Sequence, residues 1–64
     1  MIRIGLIGTG NVAVALAREI LDQENLTLVQ LIGRDQNKLP KDLFAVPFSN
    51  QFNTLSSCEV ILIA

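Results

Sequence analysis

The sequence predicts an α/β fold, a parallel sheet with flanking helices, and three observations carry that expectation. A short apolar run at the N-terminus stops at a glycine, a helical apolar period follows at once, and further β-type runs then alternate with helical or turn-rich segments. Half of the 64 residues are apolar and only 17% are charged, which is the composition of a packed core and not of a disordered chain.

The elements follow in order. Ile2, Ile4, Leu6 and Ile7 form the first strand, rich in β-branched residues and ended by Gly8. From Asn11 the period becomes helical: Val12, Ala13, Leu16, Ala17, Ile20 and Leu21 make the apolar face, and Arg18, Glu19, Asp22 and Gln23 the polar one. Asn25 is the expected left-handed stop after this helix. Residues 26–32 read as a second buried strand, and residues 35–44 as a short helix or turn broken around Pro40. A brief third strand is expected over 45–48, with Pro47 placing it at an edge or a strand end. Residues 49–57 are polar, a loop or single helical turn with Phe52 and Leu55 as inward anchors, and residues 60–64 form a last, wholly apolar strand. This alternation builds a parallel sheet covered on both faces, with right-handed crossovers as the default.

Composition excludes several functions. Cys58 is the only cysteine and there is no histidine, so no metal site and no internal disulfide are expected, which fits a reducing compartment. A net charge of −1 and a pI near 5.0 give no footprint for nucleic acid. The N-terminus enters a strand directly without a signal-peptide pattern, and no apolar run approaches the roughly 20 residues that span a bilayer. The expectation is a soluble, cytoplasmic protein with no membrane partner.

The chemistry lies between the first strand and the helix. Gly8-Thr9-Gly10-Asn11-Val12-Ala13 fits G-x-G-x-x-(G/A), the dinucleotide-binding fingerprint of Rossmann-type folds. Gly8 permits the turn off the strand, Gly10 lets the backbone approach a pyrophosphate, and Ala13 lets the helix pack close to the sheet. The helix N-terminus offers free N–H groups and a positive partial charge to phosphates. The motif's place at the first strand-to-helix turn of a unit of about thirty residues gives six residues their weight. Thr9 and Asn11 are phosphate-binding candidates, with helix capping an equal reading for Asn11.

NAD-preferring proteins carry a carboxylate about 20 residues beyond the glycines, where it takes the ribose 2′-hydroxyl. Here that position is Gly33, followed by Arg34 and, four residues on, by Lys38. A small residue followed by a planar cation leaves room for a 2′-phosphate and supplies a bidentate partner, so NADP(H) is favoured over NAD(H). Ordinary solvated charge is the competing reading of Arg34, Asp35 and Lys38. Asp35 either caps the short helix or bonds a ribose hydroxyl, which keeps NAD(H) open.

Taken together, the stretch from Ile2 to Ala13, the Leu-Ile-Gly-Arg that closes the second strand and the run from Cys58 to Ala64 resemble a known group. They are similar to the N-terminal domain of Rossmann-like proteins with a C-terminal helical domain of unknown function, relatives of pyrroline-5-carboxylate reductase and the deazaflavin-dependent NADP reductases. The resemblance spans essentially the whole chain. It implies that Thr9, Arg34 and Lys38 hold NADP phosphates, with Gly33 departing from the serine of that pattern. It also implies an oxidoreductase-like protein whose second domain shapes the substrate site and mediates a homodimer.

On this reading residues 1–64 are the N-terminal portion of a dinucleotide-binding domain, truncated after Ala64, with the rest of that domain and any substrate or dimerisation domain absent. The nicotinamide would lie beyond the carboxyl ends of the strands, so Ile63 and Ala64 are expected to approach it. The expected protein is an NADP-dependent oxidoreductase with its catalytic residues outside this chain. The alternatives are a homoserine-dehydrogenase-like enzyme, which also opens on Gly-x-Gly-Asn-Val, and a non-catalytic NADP(H)-sensing module. Cys58 precedes the last strand at the end away from the site and reads as a small buried or half-buried thiol, not a nucleophile.

Overall fold

The N-terminal run of β-branched residues forms β1 (Ile2–Ile7), which the computed structural model, describing residues 1–64, places inside a four-stranded sheet. On one side β1 pairs with β2 (Leu26–Ile32) and on the other with β4 (Val60–Ile63), while β3 (Phe48–Ser49) lies outside β2. The order is β3-β2-β1-β4 and every pairing is parallel, so all four carboxyl ends meet at one edge. α1 (Asn11–Asp22) joins β1 to β2, and three 3-10 helices, Gln36–Lys38, Lys41–Leu43 and Phe52–Ser57, fill the other connections. The architecture is α/β, a parallel sheet with flanking helices, consistent with a Rossmann-type arrangement. No helix is long and apolar enough to cross a membrane.

A bulge in β2 decides which residues meet α1. Ile4 pairs with Leu28 but Gly5 with Gln30, so Val29 is passed over and the alternation of side chains shifts by one from there. Leu28 and Leu31 thereby share the face of Ile4 and Leu6, and all four join Ala13, Ala17 and Ile20 of α1 in one core with Leu39, Leu43 and Val46. Without the bulge, strict alternation would bring Gln30 into that core. It lies instead with Gly5, and its Nε2 donates to the carbonyls of Pro47 (3.2 Å) and Leu31 (3.1 Å), tying β2 to the approach to β3. A buried amide so bonded avoids the cost of an orphaned donor.

The opposite face is covered by the Phe52–Ser57 helix. A Cβ on Gly5 would stand 2.6 Å from Leu55 Cδ2 and 2.8 Å from Cys58 Sγ, so this strand glycine is what lets the connection lie flat on the sheet. The chain thus crosses one face between β1 and β2 and the other between β3 and β4. Its winding reverses at β1, the topological switch at which open α/β sheets bind ligands beyond their carboxyl ends.

Several local expectations change. α1 buries Ala13, Ala17 and Ile20, whereas Val12, about 100° around the helix from Ala13, is exposed, and Leu21, on the flank of the stripe beside Ala17 in the last turn, is half exposed. Asn25 is not left-handed: no residue other than glycine has positive φ, and the helix closes through an extended Gln23. β3 begins at Phe48, not at residue 45, since Val46 is drawn into the core and Pro47 has no N–H for the ladder. Leu55 is buried as expected, but Phe52 is 65% exposed. Cys58 is half-buried and free.

Candidate functional site

Gly8 leaves β1 at φ +137°, a conformation that side-chain-bearing residues rarely adopt, and a Cβ there would run into the Ala64 carbonyl. The loop then reaches α1 through Gly10, which is the N-cap, with φ −77° and ψ −175°. The first helical bond is Val14 N–H to the Gly10 carbonyl (3.0 Å), so the N–H groups of Asn11, Val12 and Ala13 have no partner within the helix. No side chain caps this terminus and its first turn carries no acidic residue, which leaves its positive end uncompensated by the chain. Asn11 is therefore the first helical residue and not the cap.

Gly10 differs from the other glycines. Its backbone angles suit any residue, and a Cβ would meet nothing within 4 Å. Neither conformation nor packing within the chain asks for glycine there. What a side chain at this position would obstruct is the open space in front of the helix terminus.

Beside the loop a groove of about 460 Å³ opens at the carboxyl ends of β1 and β2, lined among others by Gly8, Thr9, Gly33, Arg34 and Lys38. The structure thus gathers five of the sequence-predicted residues around one depression. Arg34 follows the last residues of β2, and Lys38 closes the first 3-10 helix, which the Asp35 carboxylate caps by accepting from Asn37 N–H (3.0 Å). Asp35 is accordingly a capping residue in this structure. Arg3 pairs with Glu59 (3.7 Å) and Arg18 with Asp42 (3.2 Å), whereas Arg34 and Lys38 have no acidic partner. Two cations at a groove without counter-charge suit an anionic ligand.

The other predicted residues take different places. Ala13 is buried against Gly8 and packs the helix on the sheet, so it supports the loop without facing the groove. Asn11 and Val12 are exposed on the first turn of α1, and Ile63 and Ala64 are exposed on the β4 side of β1, with Ala64 N–H donating to the Ile7 carbonyl (2.9 Å). Gly33 has a reason within the chain for being small: a Cβ there would collide with the Thr9 methyl and press on the Phe48 ring at 3.3 Å. Its smallness seats the glycine loop against the end of β2, and a carboxylate introduced at 33 would disturb Thr9 as well as any ligand.

Asn50 and Phe52 also line the groove, and sequence reasoning did not place them there. The signal was topological. In an all-parallel sheet the residues after β3 arrive at the same edge as those after β1 and β2, so the segment following Ser49 was a candidate by position alone.

No cluster of His, Cys, Asp and Glu side chains with the makings of a metal site is present. Compared with protein-family models, with curated proteins and with solved structures, the chain finds no match.

Proposed function

We propose that this chain binds a nicotinamide dinucleotide, NADP(H) in preference to NAD(H), as the cofactor half of an oxidoreductase-like protein. The observation that carries the reading is one groove lined by Gly8 and Thr9 of the glycine loop and by two cations that have no acidic partner, with Gly10 and the uncapped terminus of α1 following next in the chain, outside the lining. The residues suit the group: a Cβ at Gly10 would meet nothing within 4 Å, so a pyrophosphate would find room before the free N–H groups of α1, and Arg34 and Lys38, which line the groove, would take the adenosine 2′-phosphate. When bound, the cofactor supplies hydride transfer, and its reacting end would extend past β1 toward Ile63 and Ala64.

In this reading β4 is an interior strand of a wider sheet. Val60, Ile61 and Ile63 are exposed on a strand with no polar residue, which suits burial by further elements. The catalytic groups then belong to those elements.

Paired titrations with NADPH and NADH test the proposal, because the two differ only by the phosphate. Arg34→Ala should remove one or two charge-assisted hydrogen bonds, each worth about 1.5 to 3 kcal/mol. NADPH affinity should fall at least about tenfold and NADH affinity hardly move. Lys38→Ala should act in the same sense but more weakly, its flexible ammonium being more open to screening by salt. Equal losses for both cofactors, or none for either, would refute the 2′-phosphate assignment.

A further inference from the structure

We propose that Phe52 is an aromatic platform on which the adenine base stacks, so that the groove recognises a flat purine together with its phosphates and not phosphate alone. The inference rests on the dinucleotide reading and adds to it the residue that holds the base.

Phe52 opens the third 3-10 helix and is 65% exposed, while Leu55, one turn later, is buried. With three residues per turn the two share one face of that helix, and the roughly 6 Å of rise between them separates their surroundings. Leu55 lies on Gly5 beneath the sheet, and Phe52 reaches the sheet's carboxyl edge and lines the groove. Phe44 is exposed as well, but of the two only Phe52 lines the groove, and it is this place beside the cations, not exposure by itself, that makes the ring a ligand-facing group.

The segment that carries the ring is held in place before any ligand arrives. Gly33 N–H donates to the Ser49 carbonyl (3.1 Å), Gln51 N–H to Ser49 Oγ (3.0 Å), and Thr54 Oγ1 to the Gln51 carbonyl (2.9 Å). The groove therefore combines two features of different chemistry: the unpaired cations Arg34 and Lys38, and a ring exposed beside them. A ligand that satisfies both carries phosphate and a planar π-face, as an adenosine phosphate does.

The test uses the full chain with three probes: NADPH, adenosine 2′,5′-bisphosphate, and reduced nicotinamide mononucleotide, which lacks adenine. Phe52→Ala should weaken NADPH and the bisphosphate about tenfold and leave the mononucleotide unchanged. Phe52→Tyr should restore both. With the wild type, the adenine H2 and H8 resonances should shift upfield on binding and show contacts to a Phe52 ring proton, a signature that a merely structural role would not produce. If the wild type binds no NADPH, the dinucleotide reading fails and the platform with it. If NADPH binds and Arg34→Ala discriminates as expected, but Phe52→Ala matches the wild type or weakens all three probes equally, the platform alone is overturned.

Discussion

Two glycines that look alike in the sequence have opposite meanings in the structure. Gly10 faces open space, and Gly5 faces Leu55 and Cys58 at less than 3 Å from where a Cβ would stand. Gly10→Val should therefore cost at most about 1 kcal/mol of stability, a modest capping effect, while abolishing dinucleotide binding. Gly5→Val should cost about 1 to 3 kcal/mol or more by overpacking, with any loss of binding following from loss of fold. Urea unfolding and NADPH calorimetry on both variants separate the cases, and unaltered affinity in Gly10→Val would remove the glycine loop as the phosphate cradle. Gly8 was legible because the motif ties residue type to a local backbone path, here a φ of +137°, whereas the motif singles out Gly10 for the ligand it would admit and not for its own backbone. Gly5 was not, since its neighbours come from residues 55 and 58, and no local pattern announces that approach. Gly33 was read for a ligand when the Thr9 methyl already accounts for it.

At the scale of elements, the strand-helix-strand alternation was readable because its two periods differ, and the break at Pro40 was readable because proline cannot donate. The bulge at Val29 was not. It exists to reconcile Gln30 with an apolar core, a conflict visible only once β1 and β2 are paired in register. Phe52 was misread for a related reason: an aromatic in a polar segment suggests an anchor until the topology shows that the segment ends beside a groove. The link between α1 and the second 3-10 helix gives a pH dependence. Arg18 donates to both Asp42 oxygens (3.3 and 3.2 Å), and these bonds hold the Asp42 carboxyl below its ordinary 3.8. With the folded value depressed, the contribution is fully present above the unfolded value and is lost as pH falls through the folded one. The pair is exposed, so the effect is small. The unfolding midpoint of the wild type should exceed that of Asp42→Asn above about pH 5, and the gap should narrow as pH falls below 3.8. A gap that does not change with pH would show that the pair contributes nothing.

For the molecule as a whole, 14 of 64 residues are buried, and the exposed apolar side chains of β4 stay in water. So small a core predicts marginal stability for the 64-residue chain, below about 5 kcal/mol. A cooperative denaturant transition of a monomer with higher stability would contradict this. The sheet order also bears on synthesis at the ribosome. Of these four strands β1 is made first, yet it needs β2 on one flank and β4 on the other, and β4 is made after β2 and β3. When α1 and β2 have emerged, one flank of β1 can be paired, while the other still presents a row of open N–H and C=O groups until residues 60–63 are available. Of the four strands the first made is thus the one that waits longest for its second partner, and until β4 emerges its open side is a template for pairing with a neighbour.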